Sequence, residues 1–183
     1  MRVTTSIVGI GLLLSSAAPQ AEIFADGSGI EGNNYFGVIV ASPQYKEDDS
    51  NTDFRGTGLI ARGGREFFKY IAVEGHFGIF TGDTVDDNDY QIDYMASLFA
   101  RGNLYLFDDR ARAYLMAGVT YFAGDVPRFK GEDDVAPAFG LGLELYGNER
   151  NAITFEVMRY ADGDLHNVDY KIDSINLGYQ HRF

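Results

Sequence analysis

Three histidines, His76, His166 and His181, are the only side chains in this 183-residue chain whose ordinary pKa lies near neutral pH. A serine nucleophile needs such a base within hydrogen-bond reach, and a third group to orient it. The sequence contains no His-Ser or His-x-Ser arrangement, and Ser97 and Ser174 are the strand-interior serines near the polar face. His76 shares a face with Glu74 and reads as a hydrogen-bonded pair. His166 falls in an acidic stretch, and His181 is placed on an outward face. No enzyme activity is expected. Cysteine is absent, which removes disulfides and thiolate metal sites.

Carboxylates are the next candidates. Fifteen of the 27 acidic residues gather in four stretches that begin at Lys46, Asp83, Asp125 and Asp162. Asp86-Asp87-Asn88-Asp89 and Asp162-Gly163-Asp164 offer oxygen ligands for a hard cation, but neither follows the 12-residue spacing of a calcium loop. No metal site and no cofactor are assigned. The plain reading is a solvated, mutually repulsive rim. A formal net charge of −12 excludes nucleic acid as a partner, since binding it needs basic surface.

A third group of charges is scattered differently. Arg62, Glu74, Asp93, Arg101, Arg112, Glu144 and Glu156 each sit within a run of alternating polar and apolar residues, always on the side that otherwise carries Gly, Ala and Ser. Charges enclosed away from water must be paired. The expectation is a ladder in which Arg62, Arg101 and Arg112 pair with Glu74, Asp93, Glu144 and Glu156.

The elements that hold these residues are strands. In the last fourteen residues Ile175, Leu177, Tyr179, His181 and Phe183 alternate with Ser174, Asn176, Gly178, Gln180 and Arg182, a period of two. Seven further runs precede it, beginning near Tyr35, Phe54, Tyr70, Tyr90, Ala111, Val135 and Ile153. Acidic stretches alternate with compact turns such as Asp108-Asp109-Arg110 and Gly147-Asn148-Glu149-Arg150. The acidic stretches start 37, 42 and 37 residues apart, the rhythm of four hairpins, with no repeated motif at that period. The chain is also rich in Gly (22), Tyr (12) and Phe (14), as a tightly curved β protein would be. An all-β, eight-stranded, antiparallel up-and-down barrel follows, spanning residues 34–183.

Ahead of it, Arg2, the apolar run Ile7–Leu14 and the small residues to Ala21 predict a signal peptide over residues 1–21, cleaved between 17 and 21. Residues 22–33 form a polar lead-in. Beyond the N-terminus no apolar stretch reaches the length of a transmembrane helix.

Alternation alone does not say whether the greasy face meets a core or lipid. Three features select lipid. The polar face mixes small residues with long charged ones, as a narrow lumen requires. Aromatics lie near the run ends (Tyr35, Tyr45, Tyr70, Phe80, Tyr90, Phe107, Tyr121, Tyr146, Tyr160, Tyr170 and Phe183), where interfacial girdles belong. Short turns at one rim oppose longer loops at the other. The run pattern and the closing Tyr179-Gln180-His181-Arg182-Phe183 resemble the small outer-membrane barrels of the OmpA/OmpX/Ail type. In those families an aromatic-x-x-x-Phe ending belongs to the signal read by the outer-membrane assembly machinery. Tyr179 and Phe183 match it, while His181 stands where an apolar residue is usual.

The resemblance implies a Gram-negative outer-membrane location, with the lipid bilayer and lipopolysaccharide as surroundings. A structural or surface-interaction role goes with that location. The width of an eight-stranded barrel and its enclosed charges predict a bore plugged by side chains, and the acidic stretches become extracellular loops. The adhesin or immune-evasion reading, with a surface partner held by those loops, is the first alternative. A lipid A-modifying enzyme is the second. Divalent cations held between loop carboxylates and lipopolysaccharide phosphates, and a surface contact through Val126–Lys130, are set against the plainer readings of a solvated rim and a loop packed on itself.

Overall fold

The computed structural model describes residues 34–47, 53–81, 83–85, 88–107, 110–126, 129–165 and 168–183. The expected signal peptide and lead-in, together with His166, lie outside them.

Eight long strands build the barrel: β1 (Asn34–Glu47), β3 (Thr57–Phe68), β4 (Ile71–Thr81), β6 (Asn88–Leu106), β7 (Ala111–Val126), β8 (Phe129–Tyr146), β9 (Asn151–Leu165) and β10 (Val168–Arg182). Two three-residue strands, β2 (Asp53–Arg55) and β5 (Asp83–Val85), pair with β1 and β6 at the loop-side rim. Every long strand is antiparallel to its sequence neighbour, and β10 returns to pair with β1 from Tyr35↔Arg182 to Glu47↔Tyr170. The Phe183 amide adds a bond to the Asn34 carbonyl at 3.0 Å. Closure joins all eight long strands in one ring through the turn-side part of the barrel, so backbone groups there are satisfied without water, as a structure in lipid requires. Beyond Phe139↔Arg159, among the described residues, the loop-side arms of β8 and β9 pair only with β7 and β10.

The acidic stretches are shorter as loops than the sequence indicates. The β7–β8 ladder continues to Val126↔Phe129 and the β9–β10 ladder to Val168↔Leu165. Backbone pairing there carries the hairpins past the point where the alternating apolar pattern stops. At the opposite rim the turns are tight. Asn148 Oδ1 accepts from the backbone amides of Arg150 and Asn151 at 3.0 and 2.9 Å, which fixes the β8–β9 turn.

Period two sorts the side chains. Phe36, Val38 and Val40 of β1 point out while Ile39 and Ala41 point in, which resolves a strand apolar on both sides. Ile153, Phe155 and Val157 face out along β9, as do Ile175, Leu177, Tyr179 and Phe183 along the last strand and its end. The exterior is thus an apolar surface that no packed core covers, whereas Arg, Glu and Gln are sequestered inside. This is the reverse of a water-soluble barrel.

The aromatic residues divide in a way the sequence does not show. Phe67, Phe68, Tyr70, Phe107, Tyr179 and Phe183 form an exposed band near the short-turn rim. Tyr35, Tyr45, Tyr160 and Tyr170, expected in a girdle, are buried in the bore instead. Phe80 is buried as well. Position near a strand end does not decide which face a ring takes; parity along the strand does.

Candidate functional site

Among the described residues the bore holds four buried arginines, Arg62, Arg101, Arg112 and Arg182, and four buried glutamates, Glu66, Glu74, Glu144 and Glu156. Their formal charges cancel. All belong to the halves of the strands toward the short turns, where parity points them inward. They converge because the barrel is narrow enough for side chains from opposite walls to meet.

Glu144 on β8 is the hub of the lower layer. It accepts from Arg101 Nη2 at 2.5 Å, from Arg112 Nη2 and Nε at 2.5 and 2.9 Å, and from the Tyr146 hydroxyl at 2.5 Å. Arg112 also donates to Glu66, which Arg182 engages as well. One level up, Glu74 accepts from Arg101 Nη1 at 2.7 Å, Arg62 Nη2 at 2.8 Å and the Tyr35 hydroxyl at 2.6 Å. Glu156 accepts from Arg62 Nη1 at 2.6 Å, the Tyr114 hydroxyl at 2.6 Å and Asn176 Nδ2 at 3.1 Å. The Arg101 guanidinium carbon lies 3.7 Å from the Tyr114 ring centroid. Each buried carboxylate meets several donors. Such satisfaction is what offsets the several kcal/mol it costs to take each ion out of water.

The loop-side half of the bore is different. Ile39 and Ile60, Met95 and Met158, Phe122 and Ile172 are all buried there and belong to one apolar cluster. The rings of Tyr45 and Tyr170 stack at 6.2 Å and 9°. The Tyr170 hydroxyl donates to Asp134 Oδ2 at 2.6 Å, tying β10 to β8 near the rim. Between the halves stands an aromatic layer in which His76 lies 5.1 Å from the Phe99 ring and 6.0 Å from that of Tyr160.

The structure gathers Arg62, Glu74, Arg101, Arg112, Glu144 and Glu156 into this one interior. Asp93 is not among them. The β6–β7 register slips between Ile92 and Tyr94, and the extra residue turns Asp93 to the exposed outer face. The network extends beyond the expected ladder. Arg182 joins it, as does Glu66, the last inward residue of β3 before a register shift between Glu66 and Phe68. The hydroxyls of Tyr35, Tyr114 and Tyr146 join it too, and of these the sequence pattern places Tyr35 and Tyr146 in a membrane girdle.

His76 Nε2 lies 2.7 Å from Glu74 Oε1, and its Nδ1 lies 3.2 Å from the Tyr160 hydroxyl. Ser97 is the cross-strand neighbour of His76, a juxtaposition the sequence does not reveal, but its hydroxyl pairs with Thr120 Oγ1 at 2.8 Å. Both ring nitrogens are thus engaged away from the serine. Ligand atoms of Glu74, His76 and Glu156 lie within 4.8 Å of one another, as a divalent cation would need. Arg62 occupies that place, bridging Glu74 and Glu156 with its two terminal nitrogens at 2.8 and 2.6 Å. His181 sits on the outer wall near the short-turn rim, its Nδ1 2.7 Å from Asn151 Oδ1.

A closed antiparallel barrel with an apolar exterior and an ionic interior is a transmembrane β-barrel. The chain belongs to the outer membrane protein beta-barrel domain family, whose model matches residues 8–183. It is a protein of the Gram-negative outer membrane. Its fold is similar to that of Ail, the attachment invasion locus protein of Yersinia pestis, at TM-score 0.58 and 17% identity over 82% of this chain and 99% of that one. Neisserial surface protein A gives TM-score 0.63 and 12% identity over 82% and 97% of the two chains. The outer membrane protein OprG of Pseudomonas aeruginosa gives 0.55 and 16% over 86% and 100%. These likenesses are of fold. No curated protein matches the chain by sequence.

Proposed function

We propose that this protein is a closed structural barrel, non-conducting across the membrane, that presents an acidic rim for surface interaction. The observation that carries the reading is the bore itself. An ion entering from the short-turn side meets four arginines and four glutamates already paired with each other. From the loop side it meets the apolar layer of Ile39, Met95, Phe122 and Met158. Two unlike seals stand in series. An eight-stranded barrel has room for side chains in its interior and little more. In planar lipid bilayers the folded protein is expected to show no resolved conductance steps. Sustained steps across a range of voltages would refute the plugged bore.

The rim reading rests on charge. Ail has been crystallised with the heparin analogue sucrose octasulfate, a polyanion. Here the loop-side segments carry fifteen acidic residues, so a sulfated sugar would be repelled rather than held. A cationic surface, or lipopolysaccharide phosphate bridged through divalent cations, suits this rim better.

Tyr179 and Phe183 are read as the address for outer-membrane assembly. Both are exposed on the outside of the final strand and its end, at the rim where β10 meets β1. Removing Phe183 is expected to lower the amount of barrel inserted in cells severalfold while refolding into detergent proceeds unchanged. Equal insertion in cells would discard the assignment.

A further inference from the structure

Most outward positions on the barrel carry bulky apolar side chains. One face departs from this. A groove of about 770 Å³ runs obliquely across the outer wall between β4 and β10. Its floor is made of Ala100, Gly102 and Ala117, and its banks include Leu115, Phe139 and Leu141. At its loop-side end stand Arg159 and Asp173. Arg159 Nε donates to Asp173 Oδ1 at 2.7 Å and Nη1 to Asp162 Oδ2 at 3.1 Å, with its guanidinium 5.7 Å from the Phe139 ring centroid.

An outward-facing arginine costs about 2–4 kcal/mol at the bilayer midplane and close to nothing at the interface. The Arg159–Asp173 pair therefore marks the level where hydrocarbon gives way to headgroups on the loop side. The floor and banks lie below it, in hydrocarbon, continuous with the lipid-facing wall. Water has no polar partner on such a surface, and an empty trough would forfeit dispersion contacts along its length. What remains to fill it is flexible, apolar and already present.

We propose that this groove is a lipid-chain site. It seats one acyl chain of a loop-side-leaflet lipid along Ala117 and Gly102, with the polar head level with Arg159 and Asp173. The proposal depends on the bilayer placement of the barrel and not on whether the bore conducts.

The groove can be filled without disturbing the fold. A Cβ built on Gly102 meets nothing within 4 Å, and Ala117 faces outward. The full chain is folded into dioleoylphosphatidylcholine vesicles, extracted in a non-lipid detergent, and weighed by native mass spectrometry. The wild-type barrel is expected to retain one phospholipid. Gly102→Leu alone should retain less, and Gly102→Leu with Ala117→Leu severalfold less, each keeping the gel mobility of the folded form. Equal retention by the filled variants would overturn the proposal, as would a wild-type barrel that carries no lipid. A wild-type dimer that the filled variants convert to monomer would also overturn it, assigning the groove to a second copy of the chain.

Discussion

Glu144→Leu is expected to destabilise the barrel by about 3–5 kcal/mol, the cost of breaking a buried ion pair by removing one partner. Glu144 is bound by Arg101, Arg112 and the Tyr146 hydroxyl, and Arg62 Nη2 lies a further 3.7 Å off. Without it the interior set becomes four arginines against three glutamates, and Arg101 and Arg112 face one another with no carboxylate between them. Urea unfolding in micelles should show the midpoint falling with little change in slope, because the surface exposed on unfolding is unchanged. Glu144→Gln should cost less, since the amide oxygen can still accept one donor. Pairing Glu144→Leu with Arg112→Met restores charge balance and should recover part of the loss. That non-additivity is the signature of a coupled pair. Losses that simply add in the double variant would mean that the two residues act independently.

The residues of that network were legible individually and illegible as partners. Arg62, Glu74, Arg101, Arg112, Glu144 and Glu156 could be placed inside because a strand's parity is fixed along its length and lipid tolerates no alternative. Which arginine meets which glutamate depends on the height of each residue in the closed barrel, and so on register between strands far apart in sequence. Arg182 and Glu66 meet across 116 residues, and nothing local to either announces it. Asp93 went astray where a bulge resets parity, and a bulge leaves no mark in a pattern of single residues. Glu66 is hard to place because Phe67 and Phe68 are both exposed at the strand end, so the alternation fails two residues after the last inward side chain. Tyrosine was the most ambiguous. An amphipathic ring suits a membrane interface and suits a buried carboxylate equally well. Tyr35 and Tyr70 differ in environment only because one points in and the other out.

Gly118→Ala and Gly102→Ala make the same chemical change on neighbouring strands, and opposite outcomes are expected. A Cβ on Gly118 would lie 1.9 Å from the Leu98 carbonyl oxygen and 2.9 Å from the Phe99 Cα, both backbone atoms of the adjacent strand β6. Backbone held in a ladder cannot step aside as the end of a flexible side chain can, so β6 and β7 would have to part locally. Overpacking of this kind costs typically ~1–3 kcal/mol, and the rigidity of the obstacle places Gly118→Ala toward the upper end. At Gly102 the added methyl enters open space on the outer wall, where it gains contact with hydrocarbon and restricts the unfolded chain. That variant should unfold at or slightly above the wild-type midpoint in the same urea titration. The glycines of this chain thus serve two purposes that composition cannot separate. At Gly118 the missing side chain admits a neighbouring strand. At Gly102 it leaves a hollow on the membrane face. Equal losses at the two positions would show that the close approach of β6 to β7 does not set the cost and does not require glycine.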